Sequence, residues 1–165
     1  MFIMEVLFSL INRNFNRVQN NLVYAMAELK GSYKYPNIKG KVKFIYHREG
    51  SIVKIEVEGL PNENKNNFFG FHIHEDYKCD DGETPFESAG GHLNPENDSH
   101  PQHLGDLPII YSNRGYAYME FYTSRFKPID VINHTVIIHK DKDDLKTNPA
   151  GNSGERIACG LIIKV

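Results

Sequence analysis

The sequence predicts an all-β protein, an antiparallel sandwich or barrel. Two observations carry this expectation. From residue 22 onward the dominant hydrophobic period is two, the mark of strands whose alternate side chains face one core. The alternating runs number about seven or eight, are short, and are separated by turn-forming residues at intervals typical of such folds.

Val23, Ala25, Ala27 and Leu29 make the first run, which Gly31-Ser32 breaks. Val42, Phe44 and Tyr46 alternate with Lys41, Lys43 and Ile45. Glu49-Gly50 turns the chain. Val53, Ile55 and Val57 then alternate with Lys54, Glu56 and Glu58 until Gly59-Leu60-Pro61-Asn62 ends the strand. Further strands are expected at 68–74, at 115–122 after the turn Asn113-Arg114-Gly115, at 131–139 and at 157–165. Two stretches, 75–108 and 140–155, are long, polar and rich in Gly, Pro, Asn and Asp. Loops of that length in a compact β protein usually carry function.

The chain of 165 residues is the size of one ordinary domain, placed here at 22–165. Its 19 Lys and Arg against 21 Asp and Glu leave a net charge of −2, without the basic excess of a nucleic-acid binder. No apolar run is long enough to span a membrane. Residues 1–21 form an N-terminal extension, read as a short amphipathic helix or a frayed end. Its apolar start lacks a signal-peptide pattern: no Lys or Arg precedes the run, Glu5 interrupts it, and no small-residue cleavage site follows. A cytoplasmic location is expected, with export left open. A homodimer is also left open, since interface surfaces are not legible in the sequence.

The distribution of histidine is the most informative feature. Five of the eight histidines fall between residues 72 and 103. His72 and His74 are separated by one residue, so a strand points both imidazoles to one face. Alone, that pair is more often a solvated surface feature. His92, His100, His103 and Asp106, however, lie within 15 residues of loop, close enough along the chain to converge on a single ion. Neutral imidazole suits copper and zinc, and one carboxylate among the ligands favours zinc over Cu(I). His139 closes a strand and can join a cluster built on another one. His47 and His134 have no ligand-like neighbours.

With these residues in view, the chain resembles the copper-zinc superoxide dismutase family. The resemblance rests on Gly70-Phe71-His72-Ile73-His74-Glu75, on Gly91-His92-Leu93-Asn94-Pro95, and on His103-Leu104-Gly105-Asp106-Leu107-Pro108. It continues through Thr135-Val136-Ile137-Ile138-His139, Asp143-Asp144-Leu145 and Gly151-Asn152-Ser153-Gly154-Glu155-Arg156-Ile157-Ala158-Cys159-Gly160, in the family's order. The closing stretch is similar to bacterial members. Residues 1–21 match no part of the pattern.

The resemblance implies an eight-stranded Greek-key β-barrel, a sandwich in the broad immunoglobulin-like sense, with two long functional loops. It implies copper at His72, His74, His92 and His139, and zinc at His92, His100, His103 and Asp106, with His92 bridging the metals. Asp143 would tie a copper histidine to a zinc histidine and fix both rings. Cys79 and Cys159 would form a disulfide worth about 4.5 kcal/mol in the chain-entropy model; two buried thiols are the alternative. Arg156 would attract and orient a small anion beside copper. The implied reaction is disproportionation of superoxide through Cu(II)/Cu(I) cycling, with His92 as proton carrier. Lys140, Lys142 and Lys146 are further candidates for guiding the anion.

One departure from the family stands out. Only Pro101 and Gln102 separate His100 from His103, where many members carry a longer insertion. Three rival readings stand beside this one. A non-catalytic copper- or zinc-handling protein on the same scaffold needs the ligands but not Arg156. A mononuclear zinc hydrolase needs a general base that no His-Glu-x-x-His motif supplies. A purely structural sandwich leaves the clustered histidines unexplained.

Overall fold

The structure, a computed structural model, describes residues 23–62 and 67–165. The N-terminal extension read at 1–21 lies outside the described residues. The strands are β1 (Val23–Gly31), β2 (Lys39–His47), β3 (Gly50–Glu58), β4 (Phe68–Phe69), β5 (Phe71–His74), β6 (Ile110–Tyr111), β7 (Ala117–Thr123), β8 (Thr135–His139) and β9 (Arg156–Lys164). Two short 3-10 turns occur at Glu87–Ala89 and Pro128–Val131.

All pairings are antiparallel. Seven strands form one sheet in the order β5-β8-β9-β1-β2-β3-β7, and β4 pairs with β6. β4 and β5 are one run interrupted at Gly70, so the described residues make the eight passes that the resemblance implies. Because β6 lies against β7, the β4–β6 pair draws the two edges of the curled sheet together. The β3–β4 and β7–β8 connections each cross from one side of the sheet to the other, as a Greek key requires.

The alternation read from sequence sets the core. Ala25, Ala27 and Leu29 of β1, Val42 and Phe44 of β2, and Val53, Ile55 and Val57 of β3 are buried. Lys41, Lys43, Glu56 and Glu58 face solvent between them. Phe44, Phe69, Phe71, Ile73, Ile110 and Ile138 fill the centre. One alternation differs from expectation. Phe44 and Ile45 are consecutive yet both buried, and Tyr46 is only half-buried. Opposite them, Val23 pairs with Ile45 and Ala25 with Phe44, so Tyr24 is an extra residue. This bulge re-aims the local side chains. It sets the Tyr24 and Tyr46 rings edge to face, 4.7 Å apart.

Other boundaries shift for local reasons. The strand expected at 131–139 begins only at Thr135, because Pro128–Val131 turns and Asn133 takes a positive φ of 67°. The strand expected at 68–74 breaks at Gly70, where its partner changes from β6 to β8. There the Gly70 N–H donates to the Asp141 carbonyl at 2.8 Å, and the Gly70 carbonyl accepts from the His139 N–H at 2.9 Å. β6, which the sequence reading did not assign, is a two-residue pairing too short to show a period.

The strands that matter most are β5 and β8, in which every residue is buried. Phe71 and Ile73 face the core, while His72 and His74 face the other way, beneath the long loops. An outer strand face is normally solvated. Here the two loops bury it and enclose a polar chamber.

Truncating Phe44, which is fully buried at the centre, is expected to cost about 3–5 kcal/mol as Phe44→Ala. Urea unfolding of the variant against the parent measures it, and a loss below about 1 kcal/mol would contradict the packing described.

Candidate metal centre

The loop after β5 returns to lie along the edge of that strand. The Leu93 N–H donates to the Ile73 carbonyl at 2.8 Å, the Ile73 N–H to Gly105 at 2.9 Å, and the Gly105 N–H to Leu93 at 2.9 Å. These bonds set His92 opposite His74 and Asp106 opposite His72. Gly105 passes so close to the Ile73 carbonyl that a Cβ would collide with it. His139, at the end of β8, reaches the same chamber.

Two groups of four ligand-bearing side chains result: His72, His74, His92 and His139, and His92, His100, His103 and Asp106. Within each group the donor atoms lie within 4.8 Å of one another, and all are buried. His92 belongs to both. The structure therefore brings together every side chain that the sequence reading placed at a metal.

Hydrogen bonds fix which nitrogen of each ring is free. Asp143 accepts from His72 Nε2 at 2.7 Å and from His100 Nε2 at 2.8 Å. With those nitrogens protonated, the Nδ1 atoms of both rings carry bare lone pairs. Both are buried without a hydrogen-bond partner, as are His103 Nδ1 and His92 Nε2. His74 Nδ1 donates to the Gly90 carbonyl at 3.0 Å and His139 Nδ1 to the Gly154 carbonyl at 3.3 Å. Their Nε2 atoms then face each other at 3.2 Å. Two acceptor lone pairs at that distance are not a hydrogen bond; a shared cation resolves them. Buried polar atoms without partners are costly, and a cluster of converging lone pairs is what a metal site requires. The donor set fits metal ions on this ground alone.

Asp143 is buried, although it stands in a run of charged residues whose ordinary expectation is solvent. Burial would raise its pKa, but hydrogen bonds from His72, the Leu145 N–H and His100 outweigh this and hold it well below the usual carboxylate range. Gly151 makes room for it: with φ of 61°, a Cβ there would run into the Asp143 carboxylate and His100. Asn148 adds a second tie, accepting the His100 N–H at 2.7 Å through Oδ1. Burial also would raise Asp106, and its hydrogen bond with His92 and the rings of His92, His100 and His103 bring it below the usual value. Burial lowers His72 to about 4 despite Asp143. Burial, then the neighbouring imidazoles, push His74 and His139 well below 6.5.

Arg156 opens β9. Its guanidinium donates to the carbonyls of Phe86, Glu87 and Gly90. The Gly90 carbonyl thus takes both Arg156 and His74, which sets the positive charge beside the first group. Cys79 and Cys159 form a disulfide that ties this loop to β9, so the bridge, rather than two thiols, is present. It packs with Phe86, Ala89 and Ile137. Lys140 stands 5.9 Å from the centre of the Tyr35 ring, and Lys142 and Lys146 are exposed. His134 donates toward the Glu75 carbonyl and His47 lies against Tyr122, both apart from the two groups. The sequence reading missed Asn148, Gly151 and Arg125, which touches the loop carrying His103. An Asn-Pro, a Gly and one Arg after a strand carry no periodic or ligand-like signal.

Adjoining four-ligand groups with a common imidazole, on an all-β Greek-key barrel, define the class: a candidate dinuclear metalloprotein. The profile of the family described as Copper/zinc superoxide dismutase (SODC) matches residues 38–162. The chain is 38% identical to the superoxide dismutase [Cu-Zn] of Deinococcus radiodurans over 143 residues, 75% of this chain and 76% of that protein. It is 37% identical to superoxide dismutase [Cu-Zn] 2 of Aquifex aeolicus over 141 residues, 74% of this chain and 78% of that one. The structure is similar to that of Cu/Zn superoxide dismutase from Brucella abortus, with TM-score 0.71 and 26% identity, over 83% of this chain and 98% of that one. The chain belongs to the copper/zinc superoxide dismutase family.

Two outcomes follow from this geometry. Asp143→Asn should weaken metal binding about 10- to 100-fold, because the two rings donate to different carboxylate oxygens and the amide would turn an NH2 donor toward one of them. Competition against a chelator measures that. In chelator-treated protein, His72, His74 and His139 are held neutral in the fold, with pKa values below the ordinary 6.5. Unfolding then takes up protons, so their contribution is fully present above pH 6.5 and is lost as pH falls toward about 4, where His72 titrates. The urea midpoint should drop between pH 7 and pH 5, and an unchanged midpoint would contradict the assignment.

Proposed function

We propose that the chain disproportionates superoxide, with copper held by His72, His74, His92 and His139 and zinc by His92, His100, His103 and Asp106. The observation that carries this reading is the sharing of His92 between two buried ligand groups. Four neutral imidazoles suit copper in either oxidation state, and three imidazoles with a carboxylate suit zinc. The relatives' names as Cu-Zn superoxide dismutases support the same assignment.

When bound, copper supplies a one-electron couple and zinc a fixed positive charge on the far side of His92. The remaining work falls to the chain. Two superoxide anions and two protons yield one oxygen and one hydrogen peroxide. Arg156 attracts each anion and orients it beside His74 and His139, because the carbonyls of Phe86, Glu87 and Gly90 fix its guanidinium there. His92 Nε2, buried without a hydrogen-bond partner, is the atom that would take up a proton from solvent and pass it to the reduced product. Asp143 keeps the rings of His72 and His100 in one tautomer while this occurs. The loops exclude bulk water, so charge interactions in the chamber are stronger than at the surface.

A metal-handling protein on this scaffold would need the ligands but not a guanidinium to guide an anion. The disulfide is the bond expected of an oxidising compartment. Fractionation with thiol alkylation tests in which compartment the protein resides. Among the described residues no helix is long and apolar enough to cross a membrane. Sedimentation equilibrium tests a homodimer.

Protein reconstituted with copper and zinc should bind one of each per chain and remove superoxide in the same sample. Both metals bound without activity would move the reading to metal handling. Arg156→Ala should lower kcat/KM about tenfold or more while metal content stays unchanged, and added salt should slow the parent. Copper loss in that variant would overturn the role given to Arg156.

A further inference from the structure

Arg125 follows β7 on the outside of the barrel, remote in sequence from the candidate zinc ligands. Its guanidinium nevertheless reaches the loop that carries them. Nη1 donates to the carbonyls of His103 at 3.0 Å and Asp106 at 3.1 Å, and Nη2 donates to the carbonyl of Pro101 at 3.3 Å. Two of these carbonyls belong to ligand-bearing residues, and the third lies between His100 and His103.

The stretch 94–104 includes no strand and so has no ladder to order it. The Asn148 side chain holds the His100 N–H from one side. The Arg125 fork gathers the next carbonyls from the other. Only two residues separate His100 from His103, so the loop turns tightly and its carbonyls can converge on one planar group. Inside the same turn the Asp106 carboxylate lies 3.1 Å from His100 Nδ1, 3.3 Å from His103 Nδ1 and 2.7 Å from His92 Nδ1. Without the fork, the carbonyls of Pro101, His103 and Asp106 would lose this tie, and the entropy of ordering them would be subtracted from ion binding.

We propose that Arg125 is a positioning residue for the zinc ligands. By clamping the carbonyls of Pro101, His103 and Asp106 it pre-arranges the short loop and thereby sets zinc affinity. The inference rests on the zinc reading given above. A guanidinium presents several donors in a rigid plane, which an ammonium does not. The role therefore belongs to arginine rather than to positive charge.

The test uses the full chain, with zinc as the probe in competition with a chromophoric chelator, and cobalt(II) as a spectroscopic reporter of the same site. Arg125→Gln should weaken zinc binding about 10- to 100-fold, the range seen when partners of metal ligands are removed. It should also shift the visible cobalt bands, while copper affinity stays within about twofold of the parent and the urea midpoint is unchanged. Arg125→Lys should bind zinc with intermediate affinity. Parent-like zinc affinity and cobalt bands in Arg125→Gln would overturn the proposal, as would full recovery by lysine. A parallel fall in copper affinity and fold stability would also overturn it, since that marks a general structural role. A parent chain that takes no zinc would overturn the zinc reading itself, and the role of Arg125 with it.

Discussion

A single buried carboxylate, Asp143, holds the centre together. It accepts from one ring on β5 and one ring in the loop after it, and so links the two ligand groups through a residue that belongs to neither. Such a group is tolerated out of water only when donors surround it. His72, His100 and the Leu145 N–H supply them. The last loop is shaped to deliver this carboxylate, down to the positive φ and missing side chain of Gly151. Both histidines then present the nitrogen that points inward.

Backbone carbonyls do the same for two more rings of the first group. Gly90 and Gly154 take the outer nitrogens of His74 and His139, leaving the inner ones free. Gly90 also takes Arg156, so ring orientation and anion guidance depend on one peptide unit. The Cys79–Cys159 bridge anchors the loop that contains that peptide to the strand that carries Arg156. In consequence two long loops without regular structure behave as a chamber wall. Their order comes from side-chain ties into β5, β8 and β9 rather than from ladders of their own.

The legible parts of the fold were those with a period. β3, and β1 from Ala25 onward, alternate cleanly because one face packs on the core and the other meets water. β2 misled at Tyr46, because the Tyr24 bulge lies on its partner and leaves no mark in its own alternation. β6 and the break at Gly70 arise from a change of partner, which no local pattern records. For the site, the spacing of His72, His74, His92, His100, His103 and Asp106 was legible because ligand chemistry restricts residue type. Asp143 was legible only through resemblance, since an aspartate among Lys140, Asp141, Lys142 and Asp144 reads as solvated.

By itself the sequence determined the β class, the inventory of donors and the order in which they occur, because periodicity and residue chemistry are local properties. Which nitrogen each ring turns inward, which carboxylate lies between two histidines and which arginine grips the short loop were decided only by the tertiary structure. Those choices depend on groups far apart in the chain meeting in a space without water, where each donor must find an acceptor. Arg125 and His103 illustrate the difference: 22 residues apart, they meet only because the barrel places the end of β7 beside that loop.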